Sequence, residues 1–219
     1  MPAPFPAVAA TDGQSLCNES FEIVLKVPLF PLRTVLFPGG PLPLRIFEAR
    51  YLDMISECLK SDTPFGVLLI REGDETGAAQ THATGTLARI VDWYQGSDGL
   101  LGVTAAGEQR FRLLDVGTRG DGLYVGEIEI LPDEPATPLP DEFRPLVAIL
   151  QRVLEDLGLL YQRLERRYDD ATWVGFRFAE VLPIENHQKQ ACLELQDPIQ
   201  RLRMLRGALK DVRATELQG

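Results

Sequence analysis

The hydrophobic pattern divides the chain into a strand-like first half and a helical second half. From Val24 to Leu131, apolar residues alternate with polar ones or form short runs of strand length, such as Phe65–Ile70. Residues 85–94 alternate well enough for a half-buried strand, and further strands are predicted over residues 100–105, 108–116 and 123–131, the first two separated by Gly107. Short, evenly spaced strands favour a closed or partly closed β-barrel over a parallel sheet.

A proline-punctuated segment near the start, residues 28–51, predicts two strands followed by an inserted helix. Its prolines lack a backbone donor, so the flanking strands cannot be fully paired on both sides and belong at edges, bends or bulges; they include Pro31, Pro38, Pro41 and Pro43. After Ile46, apolar residues recur every three or four positions through residue 59. This spacing is typical of one face of a helix.

The second half predicts a helical bundle behind a proline-rich linker. Four prolines within residues 132–140 end the strand pattern. Apolar residues then follow helical spacing in one long helix over residues 146–168, and further helices are predicted over 172–181 and 186–195. Asp197-Pro198 places an N-cap residue before an N1 proline and so begins the last helix. The predicted class is α+β: a mostly antiparallel barrel over residues 23–131, a linker over 132–140 and a four-helix-type bundle over 141–219.

Composition and net charge limit the partners and the cellular compartment that we expect for this protein. The chain has 219 residues, 45% of them hydrophobic, and a net charge of −10, which disfavours nucleic acid because a polyanion is repelled by phosphate. Residues 1–22 show no periodicity and no secretory signal, and we expect a disordered leader. No stretch reaches the roughly 18 to 20 apolar residues of a membrane span. Three widely spaced cysteines suggest reduced thiols, so we expect a cytoplasmic protein.

Residue patterns that carry chemistry are missing from the sequence. It has no G-x-x-x-x-G-K-S/T phosphate loop, no G-x-S-x-G elbow, and only two histidines, His82 and His187. It also lacks the H-x-x-x-H and C-x-x-C spacings of metal sites. We therefore predict no catalytic, cofactor-binding or metal-binding residues.

Several sequence blocks resemble the Lon protease N-terminal substrate-binding domain. The first runs P-L-F-P-L, V-L-F-P-G, P-L-R-I and F-E-A-R-Y within residues 28–51; the others are G-T-L-A-R-I at 85–90, A-E-V-L-P at 179–183 and K-Q-A-C-L-E-L-Q-D-P-I-Q-R-L at 189–202. The resemblance implies a PUA-like barrel with a helical bundle. It also implies a non-enzymatic module, because Lon's ATPase and Ser-Lys protease domains would have to lie beyond Gly219.

The resemblance implies that the barrel and bundle form a groove for unfolded or hydrophobic polypeptide, with a separate protease as a further partner and self-association as an open question. Binding could use a proline-weakened strand edge or an apolar cleft between the halves. The candidate peptide contacts are Phe30, Phe37, Trp93 and Tyr94, although aromatic residues of half-buried strands also commonly pack in the core. An RNA-binding PUA-like protein and a small-molecule binder in the cleft are the alternatives.

Overall fold

The computed structural model describes residues 24–75, 79–162 and 164–216, so the predicted leader over residues 1–22 lies outside the described residues. Seven strands and one helix are followed by a short 3-10 helix and five further helices. In chain order these are β1 (Val24–Leu32), β2 (Pro41–Ile46), α1 (Ala49–Ser61), β3 (Phe65–Gly73), β4 (Ala79–Thr81), β5 (Thr84–Gln95), β6 (Leu101–Thr118), β7 (Tyr124–Ile130), the 3-10 turn (Asp141–Phe143), α2 (Arg144–Asp156), α3 (Leu159–Gln162), α4 (Ala171–Val181), α5 (Asn186–Glu194) and α6 (Pro198–Glu216). The predicted α+β class is confirmed.

The strands close into a barrel through β1. This strand pairs antiparallel with β7 and parallel with β3, and the ring continues from β7 through β6 and β5 back to β3. Strand β2 adds to the first half of β6, and β4 adds to the end of β3. Except for the β1–β3 contact, every pair of strands is antiparallel, as the sequence predicted.

The prolines of β1 lie where that strand changes partners. Pro28 faces Val125 of β7 at a point that β3 does not reach, and Pro31 faces Leu68 of β3 beyond the end of the β7 ladder. Each proline therefore has one paired neighbour, and its missing N–H falls in a stretch paired on a single side. The prediction that proline prevents full pairing on both sides is confirmed.

Strand β6 is one continuous strand, so the predicted break at Gly107 is wrong. Its first half pairs with β2 and its second half with β7, while β5 follows it on the other side. A Cβ atom built on Gly107 would lie 2.2 Å from the carbonyl oxygen of Phe37. The glycine permits the β1–β2 loop to cross the strand closely and does not turn the chain.

The predicted long helix over residues 146–168 is also wrong. Helix α2 ends at Asp156, and Gly158 adopts a left-handed conformation with φ of 59° before the short α3 begins. Of the leucines that continued the helical spacing, Leu157 and Leu160 are exposed, at 45% and 37%, whereas Leu164 packs partly buried against the bundle core. Apolar spacing alone could not reveal the break, because it persists on both sides of the glycine.

Each half of the molecule has its own apolar core. Helix α1 buries Tyr51, Met54 and Ile55 against strands of the barrel, and the remaining barrel interior packs around Phe111. In the bundle, α4 is buried on almost all sides. Asp197 caps the start of α6, and its carboxylate accepts the N–H groups of Ile199 and Gln200 at 2.8 and 3.1 Å. The N-cap prediction at Asp197 is confirmed. Among the described helices, none combines the length and apolarity that crossing a membrane requires.

Candidate functional site

An open groove runs along the linker that connects the barrel to the bundle. Two cavities form it, one of about 920 Å³ between the linker, α2 and residues 167–170, and one of about 420 Å³ between the linker, α4 and the β1–β2 loop. They share Ala136, Arg167 and Asp170 and therefore adjoin. Apolar side chains line both parts, among them Leu139, Val147 and Ala148 in the larger and Leu164, Trp173 and Phe176 in the smaller.

The linker forms one wall of the groove in an extended conformation. Its Leu139 N–H donates to the carbonyl of Asp169 at 2.8 Å, and its Thr137 carbonyl accepts the Ala171 N–H at 2.7 Å. The Asp170 carboxylate also accepts the backbone N–H of Thr137 and of Thr172, both at 3.0 Å. These bonds tie the linker to the start of α4, so this wall is held in place by the bundle.

A buried charge cluster joins the barrel, the linker and the bundle beneath the smaller cavity. Glu134 of the linker contacts Arg110 of β6 at 2.9 Å and receives two hydrogen bonds from Arg201 of α6. Arg110 also donates to the Leu193 and Leu195 carbonyls at 2.8 and 3.0 Å. All three ionic side chains are at most 5% exposed. We call this set the Glu134 cluster.

The Glu134 cluster is well satisfied, although burial still acts on its charges. The guanidinium of Arg201 donates from Nε to the carbonyl of Cys192 at 2.8 Å and stacks 4.0 Å from the ring centre of Phe176. Burial lowers the pKa of Arg110, while the Glu134 charge opposes that shift. Arginine stays protonated at any physiological pH, so this is a fixed ionic joint and no proton-transfer site.

A second buried pair, Arg177 and Glu180 of α4, faces the β1–β2 loop. The two side chains lie 3.1 Å apart, and Arg177 donates to the carbonyl of Pro38 at 2.7 Å. Nε and Nη1 of Arg177 and Oε2 of Glu180 make no hydrogen bond among the described residues. Burial raises the pKa of the Glu180 carboxyl against the opposing effect of the arginine, and it lowers the pKa of Lys189 nearby.

Sequence reasoning missed both sets of charges, although each left a signal. Arg177 is a lone charge inside the apolar run W-V-G-F-R-F-A, and Arg201 lies next to Leu202 on the buried side of α6. A charge on an apolar face requires a buried partner. The partner could not be identified from sequence, because Glu134 lies 67 positions before Arg201.

The four predicted peptide contacts are not brought together. Phe30 is buried in the barrel and stacks on Tyr51 with ring centres 4.0 Å apart. Phe37 is fully buried in the bundle core, 6.0 Å from the ring of Phe176. Neither ring is accessible to a peptide in this structure, because Phe30 is buried in the barrel core and Phe37 in the bundle core.

Trp93 and Tyr94 are exposed, at 61% and 55%, but successive side chains of a strand point to opposite faces. The Tyr94 ring lies flat against Gly102, where a Cβ atom would come within 2.3 Å of it. Trp93 lies opposite Val103 on the other face. The two aromatics therefore cannot grip one side chain from the same side.

Groups for covalent or metal chemistry do not assemble in the described part of the chain. No three His, Cys, Asp or Glu side chains there converge as metal ligands. The thiols of Cys58 and Cys192 are buried, and burial raises the pKa of Cys192 to about 11. Neither thiol has the exposure or the lowered pKa of a nucleophile.

Known proteins share this sequence pattern and this architecture. The family model of the ATP-dependent protease La (LON) substrate-binding domain matches residues 26–211. The crystal structure of a Lon N-terminal domain protein from Xanthomonas campestris is 37% identical with a TM-score of 0.70, covering 84% of this chain and 98% of that one. The N-terminal domain of the Mycobacterium avium complex Lon protease shares the fold at 21% identity and a TM-score of 0.58, over 83% and 96% of the two chains.

Curated relatives match over a smaller part of their length. Lon protease 2 from Myxococcus xanthus is 33% identical over 51% of this chain and 13% of its own length. Protein cereblon from Danio rerio is 31% identical over 63% of this chain and 31% of its own. The resemblance first suggested by the sequence blocks is confirmed, and the chain belongs to the ATP-dependent protease La (Lon) substrate-binding domain family.

Proposed function

We propose that this protein binds unfolded or apolar polypeptide segments in the linker groove and acts without catalysing a reaction itself. The observation that carries the proposal is the groove: it is open, its two adjoining cavities measure about 920 and 420 Å³, and apolar side chains line both of them. Membership of a substrate-binding domain family supports the same function. A separate protease that receives the bound polypeptide is the partner that fits this role.

The groove suits a polypeptide better than a small ligand. It is partly open to solvent, whereas small-molecule sites enclose most of their ligand. Four charged residues, Arg144, Arg167, Asp169 and Asp170, line its larger cavity together with apolar side chains. Protein-binding surfaces commonly combine apolar contacts with charged and polar groups in this way. The buried free thiols are consistent with a reducing cytoplasmic setting.

Ala148 offers a direct test, because it is exposed on α2 and lines the larger cavity. Ala148→Trp fills the groove without entering the core. We expect it to weaken binding of fluorescently labelled, permanently unfolded casein by about tenfold or more, measured by anisotropy, since it removes the space for the anchoring side chains. Ser56→Trp places the same side chain on the exposed face of α1, away from the groove, and should bind like the wild type.

The salt dependence separates this proposal from nucleic-acid binding. Binding through apolar contacts should change little between low and physiological salt, whereas binding to phosphate weakens steeply. The proposal fails if casein shows no saturable binding, or if Ala148→Trp and Ser56→Trp behave alike.

A further inference from the structure

Strands β2, β5 and β6 extend beyond the closed barrel as a three-stranded arm, formed by residues 41–46, 90–95 and 101–106. Strand β6 lies in the middle and pairs with β2 on one side and β5 on the other. Strand β3 leaves β5 after Ala88, and no described strand pairs with the far side of residues 91–95. The arm therefore has two free edges, one along β2 and one along β5.

The β2 edge is closed to further strands by its prolines. The Gly107 N–H donates to the Gly40 carbonyl at 2.8 Å, which fixes the alternation of the ladder. Since every second pair along an antiparallel ladder is hydrogen-bonded, Leu42 and Leu44 exchange hydrogen bonds with β6. Pro41 and Pro43 alternate with them and present their nitrogens to the free side. Neither nitrogen carries a hydrogen, so this edge cannot donate at two successive outward positions.

The β5 edge has no proline and keeps its donors. The Gly96 N–H donates to the Leu100 carbonyl at 2.8 Å. Because hydrogen-bonded pairs alternate along an antiparallel ladder, the N–H and C=O groups of Trp93 and Gln95 point away from β6. The carboxylate of Asp92 accepts the Trp93 N–H at 2.9 Å. The β5 edge is thus covered only by the exposed Asp92 side chain, which can rotate away. The β2 edge stays closed, because the proline rings permanently remove its outward donors.

The side chains of the β5 edge suit an extended apolar segment with a cation. Residues 91–95 are all exposed, including Val91 at 58%. Trp93, Val103 and Leu44 lie opposite one another across the three strands and form an apolar row that ends at the indole. The Asp92 carboxylate adds a negative charge beside it, in a protein of net charge −10.

We propose that the β5 edge, residues 91–95, takes an extended polypeptide segment as an added β-strand, with an apolar residue of that segment against Trp93 and a basic residue beside Asp92. Strand addition supplies main-chain hydrogen bonds that do not depend on sequence, and the side chains along the edge select. The inference rests on the proposed polypeptide-binding function and adds a second contact surface to it, outside the linker groove. Asp92 then acts both as the removable cover of the edge and as the selector for a cation.

Proline substitution at Trp93 tests the backbone part of the proposal. The nitrogen of residue 93 faces the free edge, so Trp93→Pro removes a donor without breaking a bond to β6. Trp93→Ala removes the same side chain and keeps the donor. We expect Trp93→Pro to bind the labelled peptide Thr-Val-Lys-Val-Thr-Val about tenfold more weakly than Trp93→Ala, the worth of one or two hydrogen bonds. Circular dichroism verifies the fold of both variants.

A modified peptide keeps the test independent of how Trp93→Pro folds. The same peptide with alternate backbone N-methyl groups keeps its side chains and loses its donors on one side, and it should not bind wild-type protein. Asp92→Ala should bind the neutral peptide Thr-Val-Thr-Val-Thr-Val more tightly than wild type does, and should lose the preference for the lysine peptide. Pro43→Val, on the other edge, should leave the affinity unchanged.

Equal binding by Trp93→Pro and Trp93→Ala, or undiminished binding of the N-methylated peptide, would overturn the strand-addition proposal. So would a dimer, seen by sedimentation, that Trp93→Pro converts to monomer, since a second copy would then occupy the edge. If unfolded casein still binds and responds to Ala148→Trp in these cases, the proposed function stands and this inference alone fails. If no polypeptide binds at all, both fail.

Discussion

The two buried charge sites that join the barrel to the bundle differ in how completely their polar atoms are hydrogen-bonded. In the Glu134 cluster, one carboxylate is shared by two arginines, and both guanidinium groups also donate to backbone carbonyls. In the Arg177–Glu180 pair, only one bond to a backbone carbonyl supports the arginine, and three polar atoms have no hydrogen-bond partner among the described residues. The two sites are similarly buried, so the difference lies in how completely each is satisfied.

The comparison shows that burial alone does not measure what an ion pair contributes to stability. Desolvation costs both sites several kcal/mol per charge, and only additional hydrogen bonds offset that cost. The Glu134 cluster has them and holds three segments of chain in register. The Arg177–Glu180 pair has few, so an apolar replacement of the whole pair is the more favourable alternative there.

Removal of Glu134 should have the largest effect. Glu134→Ala leaves Arg110 and Arg201 buried without a counter-charge, and we expect the free energy of unfolding to fall by about 3–5 kcal/mol in urea denaturation. Glu142→Ala is the matched control, because Glu142 pairs with Arg206 at 2.7 Å on the surface and should cost about 1 kcal/mol or less. Similar losses in both variants would contradict the assigned role of the cluster.

Replacement of the second pair by apolar residues should preserve or increase stability. For Arg177→Met combined with Glu180→Leu, we expect a change between none and a gain of about 1–4 kcal/mol, because the removal of both desolvated charges and their unsatisfied atoms outweighs the loss of the bond to the Pro38 carbonyl and of the Tyr161 contact with Glu180. Arg177→Met alone should destabilise the protein, since it leaves the Glu180 carboxylate without its cation. Urea denaturation of the three proteins measures both changes. A double variant less stable than the single one would show that the pair is better satisfied than the contacts indicate.

The pH dependence of the free energy of unfolding should reveal the cost of burying the ionised Glu180 carboxylate. Its carboxyl pKa is raised in the folded protein, so the folded state binds this proton more tightly than the unfolded chain. Stability therefore falls as the pH rises from the ordinary carboxyl value through the raised pKa, and levels off above it. Relative to Glu180→Gln, which cannot titrate, the wild type should lose stability as the pH rises above the ordinary glutamate pKa of about 4.3.

Glu165 provides a control of opposite sign for that measurement. Its exposed carboxylate lies beside Arg167, which lowers its pKa, so its small contribution is lost as the pH falls through that lowered value. A wild-type minus Glu180→Gln difference that is flat, or that rises with pH, would rule out a raised pKa at Glu180.

The smallest expected change is a local one at Cys192. Its carbonyl accepts from Arg201, and its buried thiol should resist alkylation in the native protein, with modification sites mapped by mass spectrometry. Glu134→Ala should increase the labelling of Cys192 more than that of Cys58, which lies in the barrel core away from the cluster. An equal increase in the labelling rate of both thiols would indicate global unfolding instead of a local opening at the Glu134 cluster.

Much of the fold follows from local pattern, because strand alternation, helical spacing and caps act over a few residues. The strand-rich and helical halves, the inserted helix α1 and the N-cap at Asp197 could all be predicted from the sequence. The predictions failed at Gly107 and Gly158, where a glycine serves a close crossing in one case and a left-handed turn in the other. Sequence identifies the residue but does not say which use the chain makes of it.

The candidate site depended on information that lies far apart in the chain. Phe30 and Phe37 could equally have been exposed, and only the closing of two cores around them decided the matter. The Arg177 bond to the Pro38 carbonyl spans 139 positions. The orientation of Trp93 and Tyr94 to opposite faces could be inferred from alternation alone, whereas the loss of β3 as a neighbour beyond Ala88 could not.

The double pairing of β1 has a consequence for how the protein is made. Its first residues pair with the end of β7, and Val24 faces Glu129, so the ring cannot close until more than a hundred residues have left the ribosome. Until then β1 can find only its parallel partner β3, over the four positions from Leu29 to Leu32. Until β7 emerges, residues 24–28 of β1 are thus an unpaired, largely apolar segment, and slow synthesis through β7 would prolong their exposure to aggregation.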